Sequence, residues 1–213
     1  MENKDFKLPI HPAKRIFDVF ASLLMLVLLS PFILLVILSV ITEHILRGRP
    51  SDPLLYKEIR MSQGKPFWLL KFNIFKYEEI ISMREKGIFI HTKNLEKTGG
   101  VTFVGWLLKQ IYMDELPQLL NVIQGNMSIV GPRPVNEEVY EALMSQGIVA
   151  KKEVKAGITG NFQSFKNTAG KKSDESDREY VDYYFNNPWY KILLFDLKII
   201  LRTMKVILRA RGV

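Results

Sequence analysis

An uncharged run of 23 residues near the N-terminus constrains the fold of this chain more than any other feature. Residues 19–41 read VFASLLMLVLLSPFILLVILSVI. At ~1.5 Å per residue, a straight helix of this length would just cross the hydrocarbon core of a bilayer. Ser30 and Pro31 interrupt the run at its centre, where proline removes a helix hydrogen bond and kinks the axis. No small-residue cleavage site follows, so the run is not a secretory signal.

Two topologies are compatible with this run. Basic residues flank it on both sides and give no preferred orientation: Lys14, Arg15, Arg47 and Arg49. From these residues alone an ordinary kinked transmembrane helix is favoured. The alternative is a helix that breaks at Ser30-Pro31 and returns to the same face, with the freed backbone groups met by the Ser30 hydroxyl or by neighbouring protein. Asp18 is expected to pair with one of the two basic residues before it, in a structural role.

The net charge indicates the kind of partner, and the absence of cysteine excludes several kinds of chemistry. The chain has 30 Lys and Arg against 22 Asp and Glu, and its net charge of +8 indicates an anionic partner such as phosphate, nucleic acid or an anionic membrane face. The absence of cysteine excludes disulfides, thiol nucleophiles and Cys-ligated zinc. The three histidines form no close pair, so a His-based metal site is not expected. No recognised nucleic-acid module is present, and nucleic acid is therefore not the expected partner.

The rest of the sequence predicts short helices and strands. In chain order, we expect a hairpin or short strands over 54–76 around a turn at Gly64, a surface helix and loop over 77–100, and helical segments over 101–124 and 135–152. An extended segment over 154–165 with turns at Gly157 and Gly160 and a mobile loop over 166–177 are expected to follow. The second helical segment is expected to start near Asn136 and to end before Gly147.

Residues 189–212 predict a final helix with one basic face. Spacings of 7, 4, 3 and 4 bring the basic residues together: Lys191, Lys198, Arg202, Lys205 and Arg209. The predicted apolar side is formed by Trp189, Ile192, Phe195, Ile199 and Val206. A basic amphipathic helix beside an apolar anchor favours a membrane surface. A solvated basic face on a soluble domain is the alternative.

The segment 113–134, MDELPQLLNVIQGNMSIVGPRP, concentrates the residues that are suited to chemistry. Apolar residues at i, i+3, i+4 and i+7 predict one helix with a buried stripe, formed by Leu116, Leu119, Leu120 and Ile123. Gly125 is a plausible C-terminal stop. Pro117 is tolerated only in a first turn, so the helix is expected to start near Asp114 or Glu115.

The two carboxylates would then lie at the positive end of a helix, which keeps Asp114 and Glu115 ionised and attracts anions such as phosphate. Neighbouring helical residues diverge by ~100°, so one carboxylate is suited to attack a phosphorus centre and the other to bind a hard cation. Ordinary N-capping acids are the alternative. Arg133, fixed between two prolines and suited to bidentate phosphate contacts, favours phosphoryl transfer at a membrane surface.

These motifs resemble those of the bacterial sugar transferases that are monotopic phosphoglycosyl transferases. The block DELPQLLNVIQGNMSIVGPRP is similar to the signature of that family. The resemblance covers nearly the whole chain in order, through KRIFDVF (14–20), the Ser-Pro break, YKEIRMSQGKPFWLLKF (56–72), VKAGITG (154–160), DREYV (177–181) and DLKIILRT (196–203).

The resemblance implies an enzyme that moves a sugar phosphate from a UDP-sugar to polyprenyl (undecaprenyl) phosphate and releases UMP, as the initiating membrane step of glycan assembly. It also implies a re-entrant helix that turns at Ser30-Pro31, in place of a transmembrane one. The implied setting is the cytoplasmic face of the bacterial inner membrane, with its lipids as partners and Mg²⁺ as cofactor. A homodimer is compatible with the sequence, which does not fix the oligomeric state.

The resemblance also assigns roles to residues. Asp114 matches the nucleophile and Glu115 the residue that serves the magnesium. Substrate binding is expected at Lys71, Lys109, Arg133, Pro134 and Asp177. Some positions depart from the family pattern and leave the sugar and nucleotide preference open: Lys109 stands for an arginine, Phe103 and Trp106 for basic residues, Ala156 for a proline, and residues 161–165 differ in type.

The sequence therefore predicts a small membrane-associated α/β protein, mostly α, with a single domain. We expect an N-terminal tail and re-entrant helix-break-helix over 1–50, a catalytic domain over 51–188 and a C-terminal interfacial amphipathic helix over 189–213. A membrane-anchored scaffold or binding protein that kept the fold and lost turnover is the alternative. The intact Asp114, Glu115 and Arg133 argue against it.

Overall fold

The computed structural model describes residues 7–85, 99–165 and 172–208. Its helices are α1 (Pro12–Leu28), α2 (Ser30–Leu46), α3 (Tyr77–Glu85), α4 (Phe103–Gln110), α5 (Gln118–Ile123), α6 (Glu137–Ser145), α7 (Ala150–Glu153), α8 (Asn161–Ser164), α9 (Ser173–Asn186) and α10 (Trp189–Leu208). The strands are β1 (Leu55–Ser62), β2 (Lys65–Phe72), β3 (Ser128–Val130) and β4 (Gly157–Thr159). The predicted mostly helical α/β domain is confirmed.

The apolar run forms two helices that are bent by 64° at Leu29. The predicted break is confirmed, and the Ser30 hydroxyl donates to the carbonyl oxygen of Val27 at 2.8 Å. Among the described residues, no single helix is long and apolar enough to cross a bilayer, whereas α1 and α2 together pass this test of length and composition. Large apolar side chains remain exposed along both helices, including Ile16, Phe20, Val27, Leu28, Leu35 and Leu46.

The predicted hairpin is confirmed, with β1 and β2 antiparallel around Gln63 and Gly64. Both turn residues have positive φ, 50° and 71°, as a tight two-residue hairpin turn requires. The register pairs Tyr56 with Lys71, so Lys71 shares one face of the hairpin with Glu58. This face carries charged residues towards the site described below.

The helix predicted to start at the two acids starts later. Asp114 and Glu115 lie in a separate 3₁₀ turn, Met113–Glu115, and α5 begins at Gln118 with Pro117 as its N-cap. Proline fits there because its missing N–H is not needed at the start of a helix. The expected C-terminal stop at Gly125 is supported by its positive φ of 84°.

The buried stripe predicted for this helix is wrong at Leu120, which is 40% exposed. The buried side of α5 instead includes the polar Gln118 and Asn121. The Asn121 amide donates to the carbonyl oxygen of Trp68 at 2.8 Å and accepts from the N–H of Leu70 at 3.0 Å. An amide that pairs with the β2 backbone can be buried without an unmet polar group, and this contact sets the rotation of α5.

Gly157 and Gly160 are not turns, contrary to the sequence prediction. Gly157 opens β4, and Gly160 is extended with φ −161°. Both are needed for close approach, since a Cβ atom at Gly157 would lie 2.1 Å from the N atom of Gly131, and one at Gly160 would lie 2.3 Å from its O atom. Glycine is the residue that permits such backbone contact.

The other segments agree in part with the predictions. The helix after Asn136 is confirmed as α6, and helix α3 confirms the first part of 77–100. Residues 86–98 and 166–171 lie outside the described residues. The predicted mobile loop is wrong for residues 173–177, which form the start of α9.

The final helix, α10, is confirmed over Trp189–Leu208, and Arg209 lies outside the described residues. The side predicted to be apolar packs in part on the protein core, because Ile192 and Ile199 are buried. A different stripe of α10 is apolar and exposed: Leu194, Leu197, Leu201 and Met204. Exposed Lys198 and Lys205 lie beside this stripe, so the helix remains amphipathic.

Two apolar clusters form the core. The first joins α1, β2, β3, α9 and α10, and the second joins α2, the hairpin, α3 and α4. Arg15 of α1 also donates to the last carbonyl oxygens of α5, those of Val122 and Ile123, at 2.5 and 2.7 Å. The bent helix pair is therefore part of the same packed unit as the 3₁₀ turn and the two small sheets.

Candidate active site

The 3₁₀ turn with the two acids is reached through a left-handed residue. Tyr112 has φ 57° and ψ 21°, a conformation that costs a non-glycine residue about 1 kcal/mol or more. Its N–H donates to the carbonyl oxygen of Lys109, 3.3 Å away, which places half-buried Lys109 one turn before the acids. The sequence did not reveal the role of Tyr112, because neither the tyrosine nor its neighbouring residues indicate a positive φ.

Glu115 lies between two cationic side chains. Its Oε1 atom is 3.0 Å from Arg133 Nη2 and 3.5 Å from Lys71 Nζ. Burial acts to raise the pKa of Glu115, but the charges of Arg133 and Lys71 outweigh it, and the pKa is lowered. Glu115 is therefore a stable carboxylate at neutral pH.

The charged cluster continues onto the hairpin. Glu58 lies 3.7 Å from Lys71 and accepts from Arg60 at 2.7 Å. Within the part of the chain that the structure describes, the Glu58 Oε1 atom is buried and has no hydrogen-bond partner. Sequence reasoning missed Glu58 and Arg60, because alternating charges on a hairpin are ordinary surface residues unless another element covers them.

Asp114 has a different environment from its neighbour. It is buried, and burial together with the negative charge of Glu115 raises its pKa to about 6, against the opposing effects of Lys71 and Arg133. A carboxyl group with this pKa is mostly ionised at pH 7 and more basic than an ordinary aspartate. The pair therefore combines a firmly ionised carboxylate with a more basic one, and such divergence is typical of functional sites.

The loop Gly131–Pro134 presents Arg133 from a fixed backbone. The N–H of Gly131 donates to the Thr159 carbonyl oxygen, and the N–H of Gly157 donates to that of Pro132, both at 2.9 Å. The Arg133 guanidinium is half exposed, while the backbone on both sides of Arg133 is held by hydrogen bonds. This is the arrangement that a preorganised anion contact requires.

Asp177 and Pro134 lie beside this arrangement and not at its centre. Asp177 is buried and accepts from Lys151 Nζ at 2.6 Å, and the same ammonium donates to the carbonyl oxygen of Arg133 at 3.1 Å. Pro134 connects Arg133 to Val135, which forms an antiparallel β-bridge with Met61 of the hairpin. The structure thus brings together Lys71, Asp114, Glu115 and Arg133. It places Asp177 behind the loop, and Lys151 is the supporting residue that the sequence did not reveal.

A magnesium ion fits this site only as part of a shared coordination sphere. Within the described residues, no group of three or more His, Cys, Asp or Glu side chains is placed to hold a metal by itself. The oxygen donors of Asp114 and Glu115 nevertheless suit Mg²⁺, which is commonly held by one or two carboxylates together with substrate phosphates. Glu115 remains the better donor of the two because it is the firmly ionised one.

A carboxyl group of raised pKa beside the half-exposed Arg133 and the largely buried Lys71, on a domain with exposed apolar helices, is suited to act on phosphoryl groups. The comparison with known families agrees, since the bacterial sugar transferase family matches residues 10–210. The chain belongs to this family.

Three curated relatives are identical to the chain at about a third of the aligned positions. It is 32% identical over 203 residues to the uncharacterized sugar transferase EpsL of Bacillus subtilis, covering 94% of this chain and 89% of the relative. It is also 32% identical over 213 residues to the exopolysaccharide production protein ExoY of Rhizobium meliloti, with coverage of 94% and 87%. A UDP-glucose:undecaprenyl-phosphate glucose-1-phosphate transferase of Klebsiella pneumoniae is 32% identical over 197 residues, 90% of this chain but 39% of that longer protein.

Proposed function

We propose that this protein transfers a sugar 1-phosphate from a UDP-sugar to polyprenyl phosphate and releases UMP. The observation that carries the proposal is the placement of Asp114 and Glu115 against Lys71 and Arg133. The activity for which the Klebsiella relative is named supports the donor and acceptor classes. The name of the Rhizobium relative supports a role in polysaccharide production, where this transfer would be the initiating membrane step.

In this proposal Asp114 is the nucleophile. A carboxylate oxygen forms a bond to the β-phosphorus, and the bond from that phosphorus to the bridging oxygen breaks. The bridging oxygen and its electron pair leave as part of UMP. An oxygen of polyprenyl phosphate then attacks the same phosphorus, which yields polyprenyl diphosphate sugar and restores the Asp114 carboxylate.

The cations and Glu115 prepare the diphosphate for attack. Arg133, on its fixed loop, is suited to hold phosphate oxygens, and Lys71 adds a second positive charge. Lys109 lies one turn away and carries the charge, without the fork, of the arginine expected there. Glu115 would hold Mg²⁺, which supplies charge neutralisation on the diphosphate when it is bound.

The proposed setting is one face of a membrane. The exposed apolar side chains of α1 and α2, the 64° bend and the exposed stripe of α10 support a monotopic protein at the cytoplasmic face of the bacterial inner membrane. The Ser30 hydroxyl supplies one donor at the break, which lowers the cost of an interrupted helix in lipid.

The decisive experiment is a half-reaction without acceptor. Purified protein, Mg²⁺ and a panel of UDP-sugars should give a burst of UMP of no more than one equivalent per enzyme with the correct donor. The protein should gain the mass of one sugar phosphate, mapped to the peptide that contains Asp114. Polyprenyl phosphate should discharge this adduct.

The matched variants are Asp114→Asn and Asp182→Asn. Asp114→Asn should abolish burst and adduct, because a neutral amide is a poor nucleophile. Asp182 is half exposed and forms an ion pair with Arg178, so its variant should retain both. Turnover with acceptor but without burst or adduct would establish direct displacement and exclude the role of Asp114. No turnover with any donor would favour a non-catalytic scaffold.

The topology has its own test. Pro31→Ala should permit a continuous helix and shift part of the population to a spanning orientation, because the run is long enough to cross. A single cysteine at position 4, labelled with a membrane-impermeant reagent, reports the side of the N-terminus. If this cysteine is labelled from the periplasm in the protein that retains Pro31, the monotopic proposal is contradicted.

A further inference from the structure

A second group of charged residues lies in the core, away from the site. Lys14 and Asp18 are one turn apart on α1, with Lys14 Nζ 3.8 Å from Asp18 Oδ1. Lys14 Nζ also donates to Asp196 Oδ2 of α10 at 2.5 Å. All three side chains are almost fully buried. We call them, together with Tyr180, the core network.

Tyr180 of α9 joins this network to the strand that leads into the Arg133 loop. Its hydroxyl lies 2.9 Å from Asp196 Oδ1 and 3.1 Å from the carbonyl oxygen of Val130, the last residue of β3. Asp18 reaches the other end of the same strand, where it accepts from the Ser128 hydroxyl at 2.7 Å and from the N–H of Ile129 at 3.3 Å. Every residue of β3 is thus bonded to the network.

Stability alone is a poor explanation for this arrangement. Two carboxylates and one ammonium are removed from water, and buried ion pairs are often no more stable than apolar residues of similar volume. Buried charges of this kind are well suited to fix the relative position of elements. The elements fixed here are β3 and the helices α1, α9 and α10, of which α1 and α10 carry the exposed apolar stripes.

We propose that Asp18, Asp196 and Tyr180 are positioning residues that tie the lipid-facing helices to β3 and thereby hold Arg133 where it meets the donor diphosphate. Gly131 follows β3 directly, so displacement of Val130 moves the start of the Arg133 loop. Lys151 and Asp177 hold the far side of that loop through the Arg133 carbonyl oxygen. The inference rests on the proposed function, because its readout is binding of the donor.

Tyr180→Phe and Tyr184→Phe form a matched pair for the test. Each removes one hydroxyl from α9, one turn apart. The Tyr184 hydroxyl contacts the backbone of Pro9 and His11 at 3.3 Å and makes no bond to β3. Because one lost hydrogen bond corresponds to roughly a 2- to 10-fold effect, Tyr180→Phe should raise the KM for the UDP-sugar by about fivefold. Tyr184→Phe should leave the KM unchanged at a similar loss of melting temperature.

A double-mutant cycle shows whether Tyr180 acts through Arg133. In an Arg133→Lys background, Tyr180→Phe should cause no further rise in KM, because the fork that it positions is already absent. Full additivity of the two changes would overturn the inference. Equal effects of the two phenylalanine variants on KM would overturn it as well.

Ser128→Ala provides a second, milder variant if Tyr180→Phe does not fold. It removes the shorter of the two hydrogen bonds between Asp18 of α1 and β3 and leaves Lys14 paired, so it should raise the same KM and show the same non-additivity with Arg133→Lys. An unchanged KM in Ser128→Ala would contradict the link through Asp18. Failure of the proposed function is distinguishable, because the wild-type protein would then turn over no UDP-sugar.

Discussion

The site cluster and the core network use the same kinds of side chain in opposite ways. Around Glu115, cations and carboxylates alternate, Arg133 is 50% exposed, and the buried Glu58 Oε1 has no hydrogen-bond partner among the described residues. Around Asp196, the carboxylates are enclosed and bonded to Lys14, Ser128 and Tyr180. The first group keeps hydrogen-bonding capacity for a ligand, and the second uses its capacity internally.

The exposure and the hydrogen bonding of these side chains distinguish chemical from positional roles more clearly than their charges do. A cation that remains half exposed beside a reactive carboxylate is available to an incoming diphosphate. A buried pair whose partners are all protein groups contributes geometry, and its loss leaves a charge without compensation. The comparison therefore predicts loss of turnover without loss of fold in one cluster, and loss of fold in the other.

After the complete loss expected for Asp114→Asn, the largest effect is expected for Glu115→Gln. Removing this carboxylate takes away the proposed Mg²⁺ donor and the partner of Arg133 and Lys71, so turnover should fall by at least about 100-fold, the scale seen when a single electrostatic group is lost from an active site. The melting temperature should fall less than in Asp196→Asn, because Arg133 is half exposed and Lys71 keeps Glu58 at 3.7 Å. Steady-state UMP release and thermal unfolding in the same detergent measure the two quantities.

Glu153→Gln is the matched control for this prediction. Glu153 is a carboxylate of α7 that pairs with the half-exposed Arg178. Glu153→Gln should keep near wild-type turnover, since this ion pair includes none of the residues of the candidate site. Near-normal activity of Glu115→Gln, or its full recovery in excess Mg²⁺, would remove Glu115 from the proposed role.

Asp196→Asn should show the opposite pattern. It leaves Lys14 with only Asp18 at 3.8 Å, and breaking a buried pair costs about 3–5 kcal/mol. Denaturant unfolding of the detergent-solubilised protein should therefore reveal a large loss of stability. Asp182→Asn, at an exposed pair with Arg178, should lose less than about 1 kcal/mol. Equal stability of the two variants would show that the core network is energetically indistinguishable from the surface.

Local signals in the sequence predicted much of this fold. The Ser30-Pro31 break, the Gly64 hairpin and the amphipathic α10 follow from proline geometry, turn chemistry and periodicity, which act over a few residues. The helix start at Asp114 was wrong because Pro117 permits two starts, and the contact of Asn121 with β2 selects the later one. That contact joins residues that are far apart in the chain.

The residue types of the candidate site can be predicted from the sequence, but the residues that hold them in position cannot. Asp114, Glu115 and Arg133 occur in one short block whose residue types suit phosphate chemistry. Lys151 and Tyr180 are indistinguishable in sequence from surface lysines and core tyrosines, because their importance arises from the backbone carbonyl oxygens they meet. Gly157 and Gly160 were likewise interpreted as turns, since only the fold reveals the close approach of Gly131.

The smallest effect expected is a shift in pH dependence, and it tests whether the site charges act on Asp114. The ionised carboxylate is the proposed nucleophile and its pKa is raised to about 6. The rate of the UMP burst under subsaturating donor should therefore be constant above that pH and fall about tenfold per unit well below it.

Lys71→Met should move this acid limb to higher pH, because Lys71 acts to lower the pKa of Asp114. Glu115→Gln, in its residual activity, should move the limb to lower pH, because the charge of Glu115 acts to raise it. Lys57→Met removes an exposed lysine from the same hairpin and should leave the limb in place. The acceptor-free burst is the required measurement, since polyprenyl phosphate itself titrates in this range. Lys71 and Glu115 act on the pKa of Asp114 in opposite directions. If the acid limb moved in the same direction in Lys71→Met and Glu115→Gln, the titrating group would not be Asp114.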